Sequence, residues 1–226
     1  WSRLLCKGSD LTLPQLRVRS TAQRTSPIAG GPETNAWMPD VAYRRRLDGG
    51  YTIASSESAI ADIEPANFRF FSSFLPALRM EWKNLHISFG RRFFEAIAEG
   101  RPRPFENPSV FEDTRVLDPE PRTALNASAM RAICKVFPVF EKAQVVQEWA
   151  GIIDVTPDAV PVISGVGKIP GYYIATGFSG HGFGIGPAAG RLAADLVTGD
   201  TPIVDPRDFR FSRFADGTPI LVEAGV

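Results

Sequence analysis

The chain has 226 residues, with 25 basic side chains, 25 acidic side chains and 44% hydrophobic residues. This composition is typical of a globular protein with one large or two smaller domains. The balanced charge gives no reason to expect binding to nucleic acid or to an anionic membrane. No apolar run approaches the roughly 18 residues of a transmembrane helix, and the two cysteines, too few for a disulfide framework or a metal cluster, favour a reducing, cytoplasmic location.

The first half of the chain is predicted to be mainly extended. Residues 13–27 alternate in places and contain β-branched side chains, which indicates a long strand, and residues 29–40 have a turn-rich composition. Asp48-Gly49-Gly50 is typical of a β-hairpin. The other predictions for this half are hairpin strands over 41–47 and 51–55, helices over 66–80 and 91–99, a strand around His86, and a proline-rich surface crossing over 101–122.

The second half combines one helix with three strands before its last helix. An apolar stripe predicts a helix from Thr123 to Val136, which Pro138 would end. Strands are predicted over 143–153, 160–164 and 171–176. Because extended runs outnumber helices early in the chain, we expect an α+β fold in which helices cover a mixed, largely antiparallel sheet.

A glycine-dense segment follows the last predicted strand. Glycines at positions 180, 182, 184 and 186 leave alternate positions without side chains, and Pro187 suits the first turn of a helix that Gly199 would end. The start of a helix presents free N–H groups and a partial positive charge, which attract an anion or an electron-rich ring. On composition alone, a ligand-binding turn and a turn that serves only close packing are equally compatible with this pattern, and a dinucleotide or phosphate site is a further alternative.

Two segments give this pattern a more specific meaning. Residues 149–163, which include Trp-Ala-Gly and Thr-Pro-Asp, and residues 171–183 resemble the C-terminal third of the D-amino-acid oxidase-like family of FAD-dependent oxidoreductases, which includes glycine and sarcosine oxidases and D-amino-acid dehydrogenases. The resemblance implies hydride transfer to flavin from the carbon next to an amine, leaving an imine. Oxygen and a quinone or carrier are both compatible with it as final electron acceptors. Weaker similarity extends to residues 1–4, 13–19, 43–52 and 209–214.

The chain departs from the family in one respect. The family begins with a Gly-x-Gly-x-x-Gly turn that holds the ADP half of FAD, and no segment here fits that fingerprint. We therefore expect the chain to be a C-terminal portion. The alternative is a non-catalytic fragment, or one subunit of a heteromeric complex whose partner chain supplies the nucleotide site.

The resemblance also implies a domain division and a cofactor site. Residues 1–12 would end the FAD-binding domain, residues 13–150 would form the substrate-binding domain, and residues 151–226 would add the C-terminal strands and helix of a glutathione-reductase-like FAD-binding domain. Flavin would be held non-covalently, since Ala150, Gly151 and Ile152 stand where some relatives carry a flavin-linked cysteine. The predicted cofactor-binding residues are Gly177, Phe178, Ser179, Gly180, His181, Gly182, Phe183 and Gly184.

The substrate is expected to be a small amine or amino acid. Relatives carry an arginine shortly after Trp-Ala-Gly, but this chain has Ile152, Ile153 and Asp154 there. An Asp154 carboxylate facing the substrate would favour a cationic amine, whereas an Asp154 that caps a turn would not affect specificity. We identify no catalytic residue and no metal site: His181 could act as a base or only order its loop. The substrate-binding candidates, each with a solvated or core position as its alternative, are Tyr43, Arg44, Arg46 and Trp149.

Overall fold

A computed structural model describes residues 1–56, 59–82, 85–101, 103 and 106–222. The helices are α1 (Ser2–Gly8), α2 (Pro65–Arg69), α3 (Phe71–Glu81), α4 (Arg91–Glu99), α5 (Val110–Asp113), α6 (Thr123–Val136) and α7 (Gly182–Thr198). The strands are β1 (Leu16–Thr25), β2 (Ala36–Trp37), β3 (Ala42–Arg45), β4 (Tyr51–Ala54), β5 (Ala59–Asp62), β6 (Leu85–Ser88), β7 (Val145–Val155), β8 (Val162–Gly165) and β9 (Tyr173–Thr176).

The main sheet has seven strands and is centred on β1. Strand β7 pairs with β1 along one edge, from Leu16↔Val155 to Thr25↔Val145, while β4 and β5 share the other edge. All pairings are antiparallel except that between β5 and β6, which is parallel. The fold is therefore α+β with a mixed, largely antiparallel sheet, as the sequence predicted.

One face of this sheet is covered by helix α6, which packs against β1 and β4. Ile53 and Ile133 are completely buried there, in a cluster with Tyr43, Tyr51 and Phe140. We call this side the helix-covered face. Neighbouring residues of a strand point to opposite sides of a sheet, and residues that pair across two strands point to the same side. The strand registers therefore show which residues lie on the side opposite to α6.

The opposite side we call the open face, because several of its residues are exposed. It carries the even-numbered residues of β1 and β3 and their paired partners, and Arg44, Gln147 and Gly151 are exposed on it. Trp37, which pairs with Ala42, is 79% exposed. The two faces therefore differ in how much of each side chain is accessible to solvent.

A second, smaller unit contains the β8–β9 sheet. Helix α1 packs on it through Cys6, in a cluster with Leu13, Val162 and Ile174, and Leu192 of α7 packs on it against Ile163 of β8. Below the turn after β7, Asp158 accepts two hydrogen bonds from the buried Arg213 guanidinium, at 2.7 Å to Nε and 3.0 Å to Nη2. Strand β7 itself continues across residue 150, the predicted domain boundary.

Most predicted elements are present, with three informative differences. Helix α7 begins at Gly182, four residues before the position that the sequence favoured, so Pro187 lies inside it. The buried side of α6 includes the polar Asn126, which a purely apolar stripe did not predict, because Asn126 bonds to the polar side of β1. Strand β5 was not predicted, and part of the 101–122 crossing, at positions 102, 104 and 105, lies outside the described residues.

Candidate active site

A tight turn joins β9 to α7 and depends on backbone that glycine adopts easily. Gly177, Ser179 and Gly180 have φ angles of +78°, +50° and +90°. A Cβ atom on Gly177 would lie 2.5 Å from Thr156 Cγ2, which is closer than packed carbon atoms approach. The turn therefore needs glycine at position 177 for two independent reasons, backbone conformation and space.

The Asp154 carboxylate fixes the start of this turn. Its Oδ2 accepts hydrogen bonds from the Gly177 N–H and from Gln15 Nε2, both at 2.8 Å. Asp154 pairs with Arg17 in the sheet register and lies on the helix-covered face, where it lines a cavity of about 150 Å³ together with Trp1. Asp154 thus bonds to the glycine turn rather than capping the turn that follows β7. Its carboxylate does not face the open face of the sheet.

The first turn of α7 has free hydrogen-bond donors. The N–H groups of Gly184 and Ile185 donate to the His181 carbonyl, at 3.0 and 3.2 Å. In the described part of the chain, the N–H groups of Gly182 and Phe183 have no such acceptor. The Phe183 side chain is fully exposed, and a Cβ atom on Gly184 would meet no atom within 4 Å. The helix start therefore presents bare donors to an accessible space.

The turn meets the open face of the main sheet at the end of β7. A Cβ atom on Gly180 would lie 3.8 Å from Ile153 Cγ2, and Ile153 pairs with Val18 on the open face. A ligand seated against the helix start would therefore have the open face beside it. This junction is the candidate active site.

Two rows of side chains cross the open face beyond this junction. In one row Trp149 pairs with Ala22 on β1, and Trp37 pairs with Ala42, which pairs with Ala54. This row leaves a floor of alanines between two tryptophans. The next row consists of Gln147, Arg24, Thr52 and Arg44. Rows two residues apart are separated by about 7 Å along the strands, so the Trp149 row lies about 13 Å from Ile153.

The structure brings together only some of the predicted substrate residues. Arg44 and Trp149 share the open face, and Arg46 lies beside it, bonded to Asp48 Oδ2 and Thr52 Oγ1 at 3.4 Å each. Tyr43 points to the helix-covered face, where its ring packs edge-on against Phe137 at 5.6 Å. It contacts the core rather than the open face, because it is adjacent in sequence to Arg44 and strand residues alternate.

One residue of this region, Arg24, was missed from sequence, and the predicted cofactor-binding residue His181 lies at its edge. Arg24 lies on the open face at the centre of its row, and the alternation of β1 could have placed it on the same side as Ala22. His181 is exposed at the N-cap of α7, and its side chain makes no capping hydrogen bond. His181 precedes the free N–H groups of Gly182 and Phe183 and therefore lies next to the candidate site.

Comparison with known proteins identifies relatives of this arrangement. The family model described as "FAD dependent oxidoreductase" matches residues 1–196. The structure of L-amino acid deaminase from Proteus myxofaciens in complex with anthranilate is 31% identical with a TM-score of 0.89, over 96% of this chain and 48% of that one. The chain thus spans about half the length of this neighbour.

Curated relatives match over shorter stretches. The glycine oxidase of Pseudomonas aeruginosa is 34% identical over 90 residues, which is 40% of this chain and 24% of that protein. The sarcosine oxidase subunit beta of Arthrobacter is 35% identical over 88 residues, 39% of this chain and 22% of the relative. In the described residues, no helix is both long and apolar enough to cross a membrane.

Proposed function

Because this chain belongs to the FAD-dependent oxidoreductase family, we propose that it takes part in oxidising the C–N bond of an amino acid or amine to an imine. The observation that carries this proposal is the junction between the bare N–H groups of Gly182 and Phe183 and the open face of the sheet. The donors would stabilise negative charge where it develops, and the sheet would hold the substrate.

The residues of the glycine turn fit a flat, electron-rich cofactor. We propose that Gly177 to Gly184 hold the flavin of FAD, with the α7 donors and the positive end of the helix facing its electron-rich edge. The space beside Gly184 supports this, since no atom of the chain would contact a Cβ atom there. When bound, FAD supplies the hydride acceptor. Asp154 would act indirectly, by holding Gly177 and so the orientation of the donors that follow.

Non-covalent attachment of FAD is part of the proposal. Neither cysteine is available near the turn, because Cys6 is buried in the cluster with Leu13, and Cys134 packs against the core beneath α6. The two free thiols also support a cytoplasmic location.

The open face would bind the substrate opposite the flavin. We propose that Trp149 forms a wall of the substrate site and that Arg44 contributes positive charge, whereas Arg46 is occupied by Asp48. Tyr43 would support the site from the core through the strand it shares with Arg44. His181 would hold the helix start through its carbonyl, which accepts from Gly184 and Ile185, and not as a base, since oxidation of a neutral amine by direct hydride transfer needs no dedicated base. Binding of anthranilate to the Proteus myxofaciens deaminase is consistent with an amino acid substrate.

The predicted domain division remains part of the proposal. The cluster that joins α1 to β8 and β9 supports assigning residues 1–12 and 151–226 to a FAD-binding domain, with residues 13–150 as the substrate-binding domain.

Replacing Gly184 tests the cofactor site. Gly184→Val adds a branched side chain at a position where no atom of the chain would clash with it, but where it would occupy the proposed space of the flavin. We therefore expect the FAD content per chain to fall at least about tenfold. Gly190→Val is the matched control, since Gly190 also lies on α7 with no atom within 4 Å of its Cβ position. Equal FAD content in both variants would contradict the site.

A second experiment tests the reaction. FAD-loaded protein that contains this chain should lose its flavin absorption band when mixed anaerobically with an amino acid or amine substrate. A band that persists with every amino acid and amine tested would refute the proposed oxidation. If the chain retains flavin only after a second polypeptide is added, the heteromeric alternative, which the sarcosine oxidase subunit beta relationship supports, replaces a self-sufficient chain.

A further inference from the structure

The loop that follows β7 is bonded to the glycine turn through a buried threonine. The Thr156 N–H donates to Ser179 Oγ at 3.4 Å, and Thr156 Oγ1 lies at the same distance from that atom. Ser179 Oγ in turn donates to the Gly177 carbonyl at 3.2 Å. Ser179 has a left-handed φ of +50°, which residues other than glycine adopt only at a cost in free energy. Thr156 therefore contacts the turn at the residue whose backbone is strained.

The same threonine is also bonded to the far end of its own loop. Thr156 Oγ1 donates to the Val160 carbonyl at 2.9 Å, and Asp158 Oδ1 accepts from the Val160 N–H at 3.1 Å. Between these residues the chain passes through Ala159, whose φ of +58° is again left-handed. Residues 156–160, which we call the Thr-Pro-Asp loop, thus close on themselves through both backbone groups of Val160.

Arg213, from the C-terminal segment, bonds to this loop with its whole guanidinium group. Nε and Nη2 donate to the two carboxylate oxygens of Asp158, and Nη2 also donates to the Val160 carbonyl at 2.6 Å. Nη1 donates to the Arg210 carbonyl at 3.1 Å. The Val160 carbonyl therefore receives hydrogen bonds from both Arg213 and Thr156. It connects the guanidinium to the residue that contacts the glycine turn.

Burial makes stability alone a poor explanation of this ion pair. The side chains of Arg213 and Asp158 are only 4% and 11% exposed. Removing two charges from water costs free energy, and a buried ion pair often adds no more stability than apolar residues of the same volume. It does fix the groups that it bonds, because a planar guanidinium accepts few arrangements of its acceptors. We therefore expect the pair to determine the geometry of the Thr-Pro-Asp loop.

We infer that Arg213 is a positioning residue for the flavin site. By holding the Val160 carbonyl it holds Thr156, and Thr156 keeps Ser179 in the conformation that directs the free N–H groups at the start of α7. The inference rests on the proposed function, because it assumes that these donors face the flavin. If the Arg213 bonds are lost, the donors turn away from the flavin, and the negative charge of its reduced form is stabilised less.

Thr156→Val tests this connection, because valine keeps the shape of threonine but lacks the hydroxyl that bonds to Val160. FAD-loaded protein that contains this chain is reduced in the presence of a dye of known potential. We expect the preference for reduced over oxidised FAD to fall about tenfold, which lowers the two-electron potential by about 30 mV. Thr156→Ser, which keeps the hydroxyl, should lower the potential less. Arg213→Lys, which keeps the charge but loses the paired geometry, should lower it as Thr156→Val does.

Asp195→Asn is the matched control. Asp195 is also a buried carboxylate that pairs with an arginine, Arg191, and it accepts from the Ile203 N–H at 3.1 Å. It lies about 20 Å along α7 from Gly182. This substitution should lower the midpoint of urea unfolding and leave the flavin potential unchanged. A general loss of stability weakens the binding of oxidised and reduced FAD alike, so only displaced donors change the potential.

The inference is overturned if Thr156→Val and Arg213→Lys hold FAD at the potential of the unsubstituted protein, or if Asp195→Asn lowers the potential as much as they do. Should Arg213→Lys fail to fold, Thr156→Val decides in the same way. Thr156→Val protein that keeps its unfolding midpoint but retains no FAD supports the inference, since the fold is intact and the turn is not. If the variants shift the potential but no amine or amino acid bleaches the flavin, the proposed oxidation alone is refuted.

Discussion

Neighbouring residues in the strands of the main sheet lie in different environments, buried on one face and more accessible to solvent on the other. On the helix-covered face, Ile53 and Gln23 are buried and packed or hydrogen-bonded beneath α6. One position away, Thr52 and Arg24 lie on the open face, where a row of alanines lies next to a row that contains Arg24 and Arg44. The comparison shows that a single set of strands supplies stability on one side and a candidate site on the other, because strand residues alternate in direction.

The largest expected difference between the faces is in core packing. Ile53→Ala should lower the free energy of unfolding by about 2–5 kcal/mol, because it leaves a cavity among fully buried side chains. Thr52→Ala, its neighbour on the open face, should change that free energy by no more than about 0.5 kcal/mol. Urea denaturation of both variants measures the difference. Equal losses would mean that the open face is packed against something as tightly as the core.

A polar network beneath α6 gives the next largest effect. Asn126 is completely buried, accepts from Thr21 and donates to Glu148 at 2.8 Å. Asn126→Ala would remove the donor to Glu148 and to the Ala22 carbonyl, while Thr21 would keep its hydrogen bond to the Trp149 carbonyl. We therefore expect a loss of about 1–3 kcal/mol in unfolding free energy. Asn126→Asp would place a second carboxylate beside Glu148, so this variant should be no more stable than Asn126→Ala. Denaturation midpoints at neutral pH check both variants. If Asn126→Ala leaves the midpoint unchanged, the network contributes no net stability.

The ion pairs on the helix-covered face predict a pH dependence. Burial tends to raise the pKa of Glu99, but its bonds with Arg92 and Arg17 hold that pKa below its ordinary value of 4.5. Because the folded pKa is the lower one, Glu99 adds stability above about pH 4.5 and loses it as the pH falls through the folded pKa.

Glu99→Gln tests this dependence. We expect it to cost about 1–2 kcal/mol of unfolding free energy at pH 7 and to flatten the fall in stability at pH values below about 4.5. Glu95, which also pairs with Arg92 but is 39% exposed, provides the control. Glu95→Gln should have the smaller effect, and an unchanged acid profile for Glu99→Gln would contradict the assignment.

The smallest effect is expected for an aromatic residue on the open face. Trp37→Ala removes a side chain that is 79% exposed, so the free energy of unfolding should change by less than about 0.5 kcal/mol. Thermal unfolding in the absence of substrate is the appropriate measurement. A loss as large as that of Ile53→Ala would mean that Trp37 is buried in the protein as it exists in solution.

Local sequence signals predicted much of the fold. The Asp48-Gly49-Gly50 hairpin is present, with Gly49 at a φ of +82° and Asp48 Oδ1 accepting from the Gly50 N–H at 3.0 Å. Gly199 ends α7 in the left-handed conformation, as expected of a C-terminal glycine. These features depend on a few adjacent residues, and so a pattern in the sequence was sufficient to find them.

The candidate site was only partly predictable, because its residues meet through long-range pairing. Sequence patterns located the glycine turn but could not show that Asp154 holds it, since that bond joins residues 23 positions apart. They also grouped Tyr43 with Arg44, and the register of β3 with β4 separates the two between opposite faces. The alternation of β1 could have placed Arg24 on the side of Ala22, but only the strand pairing shows the row that Arg24 shares with Thr52 and Gln147.

The sequence by itself determined most element types, the hairpin, the C-terminal end of α7 and the family, because each is encoded in short runs of residues or in motifs close together. Tertiary structure alone decided which side of each strand became core and which became the open face. That choice depends on where α6 docks and on the register of β1 with β4 and β7. A shift of one residue in that register would exchange every side chain between the two faces.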